Sequence, residues 1–353
     1  MEAGDHAGFA RQLSRVSGAA RYADPDELTT AIQYLAPVLG RAGGLFAKTA
    51  LLAGAFVEWG GSPLPLRQVL PRRTVAAMES CALFPEVWPL ASAGLPLPDR
   101  ADLAAMPGVT DALVRLARRR GLAEASAVQI ATSWFDVDDW LQSLITAMAL
   151  REFRAVMADR DQVRDGAAAL ADELLAAHWV HGLSVVLDDE PLVALDYASR
   201  RGFHLTMSGI GDNFQLHTLL ADRLTSGSPP ALTGLEPPRR SWVAAATDGA
   251  RRLRAADPIL RRFRLFDGHG AYVFPEGRPA DIQPLDGTRV VILHPPLGRF
   301  AWSAGRAYRH MTPTLTLDRI LAPAEAARWL ARVSPAQQTD LMAVHRAAGS
   351  TAR

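Results

Sequence analysis

The spacing of apolar residues changes near Gly182, and this change constrains the fold more than any other feature of the sequence. Between about residues 26 and 181, apolar residues recur every three or four positions, the period of a helix that is buried on one side. Over residues 183–209 they form short runs separated by the turn-forming segments "DDEP" and "ASRRG", which is typical of β-strands. The sequence therefore predicts a helical domain over residues 1–181 and a different domain over residues 182–353.

The second domain combines strands and helices without a regular βαβ alternation, which favours the α+β class over a doubly wound sheet. The predicted fold is an N-terminal helical bundle packed on a C-terminal domain of antiparallel strands and helices. The predicted elements of that domain are an antiparallel meander of three strands at 183–209, a helix at 212–225, a linker at 226–241, a basic helix and short strands within 242–320, and a closing helix at 323–333.

Composition excludes several classes of protein. The 38 basic and 37 acidic residues nearly cancel, so no general attraction to nucleic acid or to an anionic membrane is expected. Cys81 is the only cysteine, which excludes an internal disulfide and a thiolate zinc cluster. No apolar run is long enough to span a bilayer, and the N-terminus lacks the pattern of a signal peptide. These features predict a cytoplasmic protein.

The segment "GRAGGLFAKT" contains Lys48, the only lysine, and superficially resembles a phosphate-binding loop. Ala47 and Ala42 stand where that loop requires glycine, and the flanking segments have a helical pattern where a strand should precede the loop. The sequence therefore predicts a glycine-rich connection between two helices and no nucleotide site.

The segment "SWFDVDDWLQ" places Asp136, Asp138 and Asp139 close together, and carboxylates on a helix can hold magnesium. The pair of Ser133 and Asp136 is also a capping pattern at the start of a helix, and this second interpretation is favoured. The nine histidines show no HExxH or His-x-His spacing; His178 and His181 are three residues apart and could share a helix face, but no third ligand is implied nearby. The sequence thus predicts no metal ligand and leaves any cofactor unknown.

The segment "GFHLTMSGIGDNFQLHTLLADRL", residues 202–224, has the pattern of a strand that turns into a helix. His204 and His217 are candidates for general acid–base catalysis, with Asp212 as an orienting residue of the catalytic group and Asn213 as a substrate-binding residue. Free amide groups at the start of the helix are expected to attract an anion. The alternative is that His217 is a core histidine that joins the helix to the sheet.

A second candidate surface, residues 294–311, follows a predicted strand and interleaves arginines with aromatic residues. Arg299 and Arg306 are candidates for an anion clamp, because guanidinium groups form paired hydrogen bonds with carboxylates and phosphates. Trp302 and Tyr308 are candidates for substrate binding. The alternative is a surface loop whose aromatic side chains are anchored in the core.

Two functions are consistent with these patterns. The first is an intracellular enzyme, biosynthetic or tailoring, that acts on an anionic small molecule or a peptide near residues 204–217 and 294–310. The second is a non-catalytic subunit that binds a protein partner through an Arg-rich helix at 251–264 and the loop at 299–309. No motif determines a reaction class.

Overall fold

The computed structural model describes residues 6–41, 47–247, 259–297, 301–302, 308 and 311–337. The chain divides into two compact units, Met1–Val185 and Val186–Arg353. The regular elements described in the first unit are all helices, whereas the second combines strands with helices, so the α+β class is confirmed.

The first unit is built from amphipathic helices that bury their apolar sides against one another. The longest of them, α4 and α6, pack closely together, and α3 packs against α6. No helix among the described residues is both long and apolar enough to cross a membrane. The helices are α1 (His6–Ala20), α2 (Pro25–Arg41), α3 (Ala47–Glu58), α4 (Val69–Ser92), α5 (Met106–Arg120), α6 (Glu124–Met148), α7 (Arg151–Val156), α8 (Arg160–Leu170) and α9 (Leu175–Ser184), with a short 3-10 helix at Leu64–Leu66.

Helix α4 runs through the segment FPEVWP, residues 84–89, which contains two prolines. Pro85 and Pro89 lie inside it. Proline disfavours a helix interior because it lacks an N–H group and crowds the preceding turn. Tertiary packing overrides this preference: Phe84 and Trp88 on the same segment are buried, and the indole N–H of Trp88 donates to the carbonyl of Pro96 at 2.8 Å.

The capping interpretation of Ser133 and Asp136 is wrong. Helix α6 begins at Glu124, so both residues lie well inside it, and Ser133 is buried. The preceding helix, α5, ends at Arg120 and is followed by Gly121 in the left-handed conformation (φ +66°) that commonly terminates a helix. The aspartates of α6 therefore project from the middle of a packed helix.

The described residues of the second unit form a six-stranded sheet with helices on both faces. The strand order is β4-β6-β1-β2-β8, with β5 paired to β6, and β3 and β7 form a separate two-stranded ribbon. The elements are β1 (Glu190–Asp196), β2 (Gly202–Ser208), α10 (Asn213–Thr225), α11 (Arg240–Thr247), β3 (Ile259–Leu260), β4 (Arg264–Asp267), β5 (Pro284–Leu285), β6 (Thr288–His294), β7 (Ala301–Trp302), β8 (Thr314–Ile320) and α12 (Pro323–Arg332), with a 3-10 helix at Pro279–Asp281.

The predicted meander of three strands at 183–209 is wrong in its first strand. Residues 183–184 complete α9, and only β1 and β2 form an antiparallel pair in this stretch. A short apolar run can belong to a helix end or to a strand, and here Leu183 is buried on α9. The sheet is also mixed, because β1 pairs in parallel with β6.

The predicted basic helix at 251–264 does not extend to its expected end. Residues 251–258 lie outside the described part of the chain, while 259–260 form β3 and Arg264 begins β4. Phe263 and Leu265 both enter the core on one face of the sheet, which is the spacing of extended chain. Tertiary burial of these two side chains therefore selects a strand in place of a helix.

The two faces of the sheet bury different sets of residues. One face packs on α10 through a cluster that includes Leu205 on β2 and Leu216 on the helix. The other face packs on α12 through a cluster that includes Val193 on β1 and Ala326 on the helix. His204 lies opposite Val193 in the register of β1 and β2, so it belongs to the face that α12 partly covers.

Candidate functional site

An irregularity in the pairing of β2 with β8 brings an aspartate to His204. Leu205 lies opposite Leu317, but His204 lies opposite Arg319, so one extra residue, Asp318, is inserted into β8. A β-bulge of this kind redirects the side chains beside it and is common next to functional sites. The carboxylate of Asp318 is thereby placed on the same face as His204 and Thr206.

Hydrogen bonds hold these three side chains in one network. Asp318 Oδ2 lies 3.0 Å from Nδ1 of His204 and accepts a hydrogen bond from the hydroxyl of Thr206 at 2.8 Å. With a neutral imidazole, the proton is on Nδ1, since only Nδ1–H can donate to the carboxylate. Nε2 is then left with a lone pair that can accept a proton.

The imidazole of His204 is accessible. One third of its side-chain surface is exposed, as is one third of that of Asp318. None of the described residues forms a hydrogen bond with Nε2. A molecule that reaches this face of the sheet can therefore contact Nε2, while the carboxylate stays behind the ring.

Ser208, the third polar residue on this face of β2, does not join the network. Its hydroxyl accepts from the backbone N–H of Asp189 at 2.8 Å and donates to the carboxylate of Asp189 at 3.2 Å. Ser208 is buried. It joins the start of β1 to the end of β2, which is a structural contact.

His217 sits in a different environment from His204. It is 3% exposed, and its Nε2 accepts the backbone N–H groups of Arg262 at 2.9 Å and Phe263 at 3.1 Å. Burial lowers the pKa of the imidazole to about 3, and the positive charges of Arg261 and Arg262 lower it further in the same direction. A neutral, enclosed ring with an occupied Nε2 favours the structural interpretation of His217.

The start of α10 satisfies its own amide groups. Asp212 caps the helix by accepting the N–H of Gln215 at 2.8 Å, the N–H of Asn213 donates to Gly277, and the N–H of Gly211 donates to the side chain of Gln215. An anion would find these donors occupied, so the expected anion site is not formed in this way. Burial raises the pKa of Asp212 to about 6, although the N–H donors oppose that shift.

The predicted binding residues of the loop at 294–311 are described only in part. Tyr308 is buried, and burial raises the pKa of its hydroxyl to about 12; the charge of Arg278 lowers it and that of Asp212 raises it. Tyr308 and Asp212 therefore lie in one neighbourhood. Trp302 belongs to β7, whereas Arg299 and Arg306 lie outside the described residues.

Asn213, the other predicted binding residue, is 2% exposed, and its side-chain amide donates to the carbonyl of Phe274 at 2.8 Å. This contact ties the start of α10 to the loop that follows β4. Much of the surface expected to bind a protein partner, residues 251–258 and most of 299–309, is outside the described chain.

The single lysine and the single cysteine both make structural contacts. Lys48 lies in the first turn of α3, and its ammonium group is 2.7 Å from a carboxylate oxygen of Asp139 on α6. Cys81 is buried, and burial raises the pKa of its thiol to about 11, so little nucleophilic thiolate forms at neutral pH. Within the described ranges, no group of three histidine, cysteine or acidic side chains could hold a metal ion.

Sequence reasoning missed Asp318. The segment "TLTLDRI" predicts a strand, and its alternation puts the aspartate on a solvent face, where such residues are common. Nothing local in the sequence indicates that β8 lies beside β2 or that the pairing contains a bulge.

No protein family, curated protein or solved structure matches this chain.

Proposed function

We propose that the protein is an enzyme that transfers a proton to or from its substrate at Nε2 of His204. The observation that carries the proposal is the 3.0 Å contact between His204 Nδ1 and Asp318 Oδ2 on an accessible face of the sheet. A carboxylate behind Nδ1 sets the orientation and tautomer of the ring and stabilises the imidazolium that forms when Nε2 takes a proton. Asp318 and Thr206 are then positioning residues.

The charges around His204 bear on the kind of substrate. Arg319 is the arginine opposite His204 in the sheet, and its guanidinium forms two hydrogen bonds with Glu325 at 2.7 and 2.8 Å. It is therefore already paired. An anionic small molecule or the carboxylate end of a peptide would need another cation, and Arg299 and Arg306 remain the proposed clamp.

The tautomer gives a test that needs no substrate. Nitrogen NMR of the wild-type protein above pH 8 is expected to show His204 with its proton on Nδ1. In Asp318→Asn the population of tautomers is expected to shift toward the Nε2–H form. If Nε2 already carries the proton in the wild type, the proposed base is absent.

A substrate panel tests the chemistry itself. Carboxylic esters, phosphate monoesters and short peptides are incubated with the full chain, and turnover of any substrate found is expected to fall about 100- to 10,000-fold in His204→Gln. His269→Gln is the matched control, because His269 is exposed in the same unit. Turnover that survives in His204→Gln at the wild-type rate would remove His204 from the mechanism.

A further inference from the structure

The helical unit contains a cleft of about 430 Å³ between α3, α6 and the segment 99–106. Pockets that hold small organic molecules have volumes of roughly 300–1,000 Å³. Its apolar wall includes Leu103, Trp134 and Phe135, and its charged side chains include Asp136 and Asp138. The cleft thus combines an apolar surface with a small number of charged groups.

The apolar wall is held in place from both sides. The ring of Trp134 stacks on Phe84 at 4.5 Å with an angle of 17°, and the guanidinium carbon of Arg100 lies 3.8 Å from the ring centroid. The indole N–H donates to the carbonyl of Pro98 at 3.0 Å. Because these contacts fix the side chain, the wall is formed before a ligand enters.

The two cations of the cleft are already engaged. Lys48 is paired with Asp139 at 2.7 Å. Arg100 stacks on Trp134 and donates to Glu173 and to the sulfur of Cys81, each at 3.2 Å. An anionic ligand would have to break these contacts to obtain a counter-charge.

Two carboxyl groups of the cleft have no such partner. Neither Asp136 nor Asp138 forms a hydrogen bond or an ion pair with the described residues; Asp138 is exposed to solvent, whereas Oδ1 of Asp136 is fully buried. A buried carboxyl oxygen without a partner is unfavourable and unusual in folded proteins. Partial desolvation raises the pKa of Asp138, and the deeper burial of Asp136 raises its pKa to about 7.

We propose that this cleft binds a small organic cation, in which an ammonium group pairs with Asp136 and an apolar body lies against Trp134 and Phe135. The ammonium group supplies a hydrogen-bond donor and a positive charge in direct contact with the Asp136 carboxylate, which has neither a hydrogen bond nor an ion pair with the described residues. The apolar body removes the aromatic wall from water. This site lies wholly in the helical unit, and the proposal does not depend on the chemistry at His204.

Affinity for a cation is expected to depend on pH through Asp136. Lys48 on α3 and Arg73 on α4 favour its ionised form, whereas Asp139 on the same helix opposes it. A bound ammonium group adds another positive charge and pairs only with the carboxylate. Binding should therefore strengthen as pH rises from 6 to 8, while the ammonium group stays protonated.

The test compares three probes of similar shape by isothermal titration calorimetry on the full chain. They are phenethylammonium, the neutral 2-phenylethanol and the anionic phenylacetate. At pH 8 we expect phenethylammonium to bind at least about tenfold more tightly than the alcohol. Asp136→Asn should weaken phenethylammonium at least about tenfold, since it removes one charge of a desolvated pair. Asp111→Asn, an exposed change on α5, is the matched control and should leave affinity unchanged.

Asparagine has nearly the same shape as aspartate, and circular dichroism checks that the variant is folded. Asp138→Asn is the second variant and should give a smaller loss of affinity. The proposal is overturned if none of the probes binds below about 10 mM, if phenylacetate or the alcohol binds as well as the ammonium ion, or if Asp136→Asn binds phenethylammonium like the wild type.

Discussion

Replacing His217 with leucine should destabilise the second unit, because the imidazole has a structural role that is independent of any catalysis. The imidazole accepts two backbone N–H groups, that of Phe263, which is buried, and that of Arg262, which is partly buried. Leucine has a similar volume but no acceptor, so both donors lose their partner. A buried donor left without a partner costs about 1–3 kcal/mol. His217→Leu should therefore lower the free energy of unfolding by roughly 2–6 kcal/mol at pH 7.

The effect should also depend on pH in a defined direction. The pKa of His217 is about 3 in the folded protein, against 6.5 as its ordinary value. The unfolded chain therefore binds a proton that the folded chain excludes, and the stability contributed by the neutral ring is lost as pH falls from about 6.5 toward 3. Between pH 7 and pH 5 the wild type should lose about 2 kcal/mol relative to His217→Leu.

Hydrogen exchange of peptides from α10, measured by mass spectrometry, can follow the stability of wild type and His217→Leu, because it reports the opening of the second unit alone. Rates are corrected for intrinsic exchange at pH 7 and pH 5. His269→Gln removes an exposed histidine of the same unit and should change protection by less than about 0.5 kcal/mol. The assigned role is refuted if His217→Leu is protected from exchange as well as the wild type at pH 7. It is also refuted if the difference in protection between the two proteins is the same at pH 5 as at pH 7.

Three further predictions concern other parts of the chain. Asp136→Asn should raise the free energy of unfolding, measured by urea denaturation, by roughly 2–4 kcal/mol at pH 8 and by little at pH 4. The reason is that folding raises the pKa of Asp136, so its ionisation destabilises the folded wild type as pH rises from about 4 to 7. Gly202→Ala should lower the free energy of unfolding by about 1–3 kcal/mol, because the added Cβ would lie 2.7 Å from Leu321 Cδ1. Gly18→Ala is the control: its Cβ would contact nothing, so thermal melts should show no destabilisation. Lys48→Met should cost less than about 1 kcal/mol, because the lysine is half exposed, and an ATP titration should show no binding by either protein.

Local sequence patterns were sufficient to predict the elements whose apolar repeat continues over several turns or whose ends carry characteristic residues. The helices of the first unit repeat apolar residues at three and four positions over several turns, and a pattern of that length identifies a helix without tertiary information. The sequence predicts helix α10 at 212–225, and it spans Asn213–Thr225, with Asp212 as its N-cap. The closing helix was predicted at 323–333 and ends at Arg332.

Short or ambiguous segments were decided by packing. Of the expected first strand of the meander, residues 183–184 complete α9 and residues 185–189 form an irregular connection to β1, while the end of the expected basic helix became β3 and β4. In each case a few apolar residues fit either structure locally, and the energy of burying them in the core selected one. Helix α4 passes through Pro85 and Pro89 for the same reason, because burial outweighs local propensity.

The sequence by itself could nominate His204 and His217, but it could not assign their roles. His204 meets Asp318 114 residues later in the chain, and only because a bulge shifts the register of β8. His217 is enclosed by backbone amides 45 and 46 residues away. Asp136 resembles a cap locally, but once α3, α4 and α6 have packed it is a partly buried carboxyl in a cleft, with Oδ1 fully buried. Periodicity and capping are local properties of the chain, whereas the partner and the burial of a side chain depend on distant segments, so only the tertiary structure determines them.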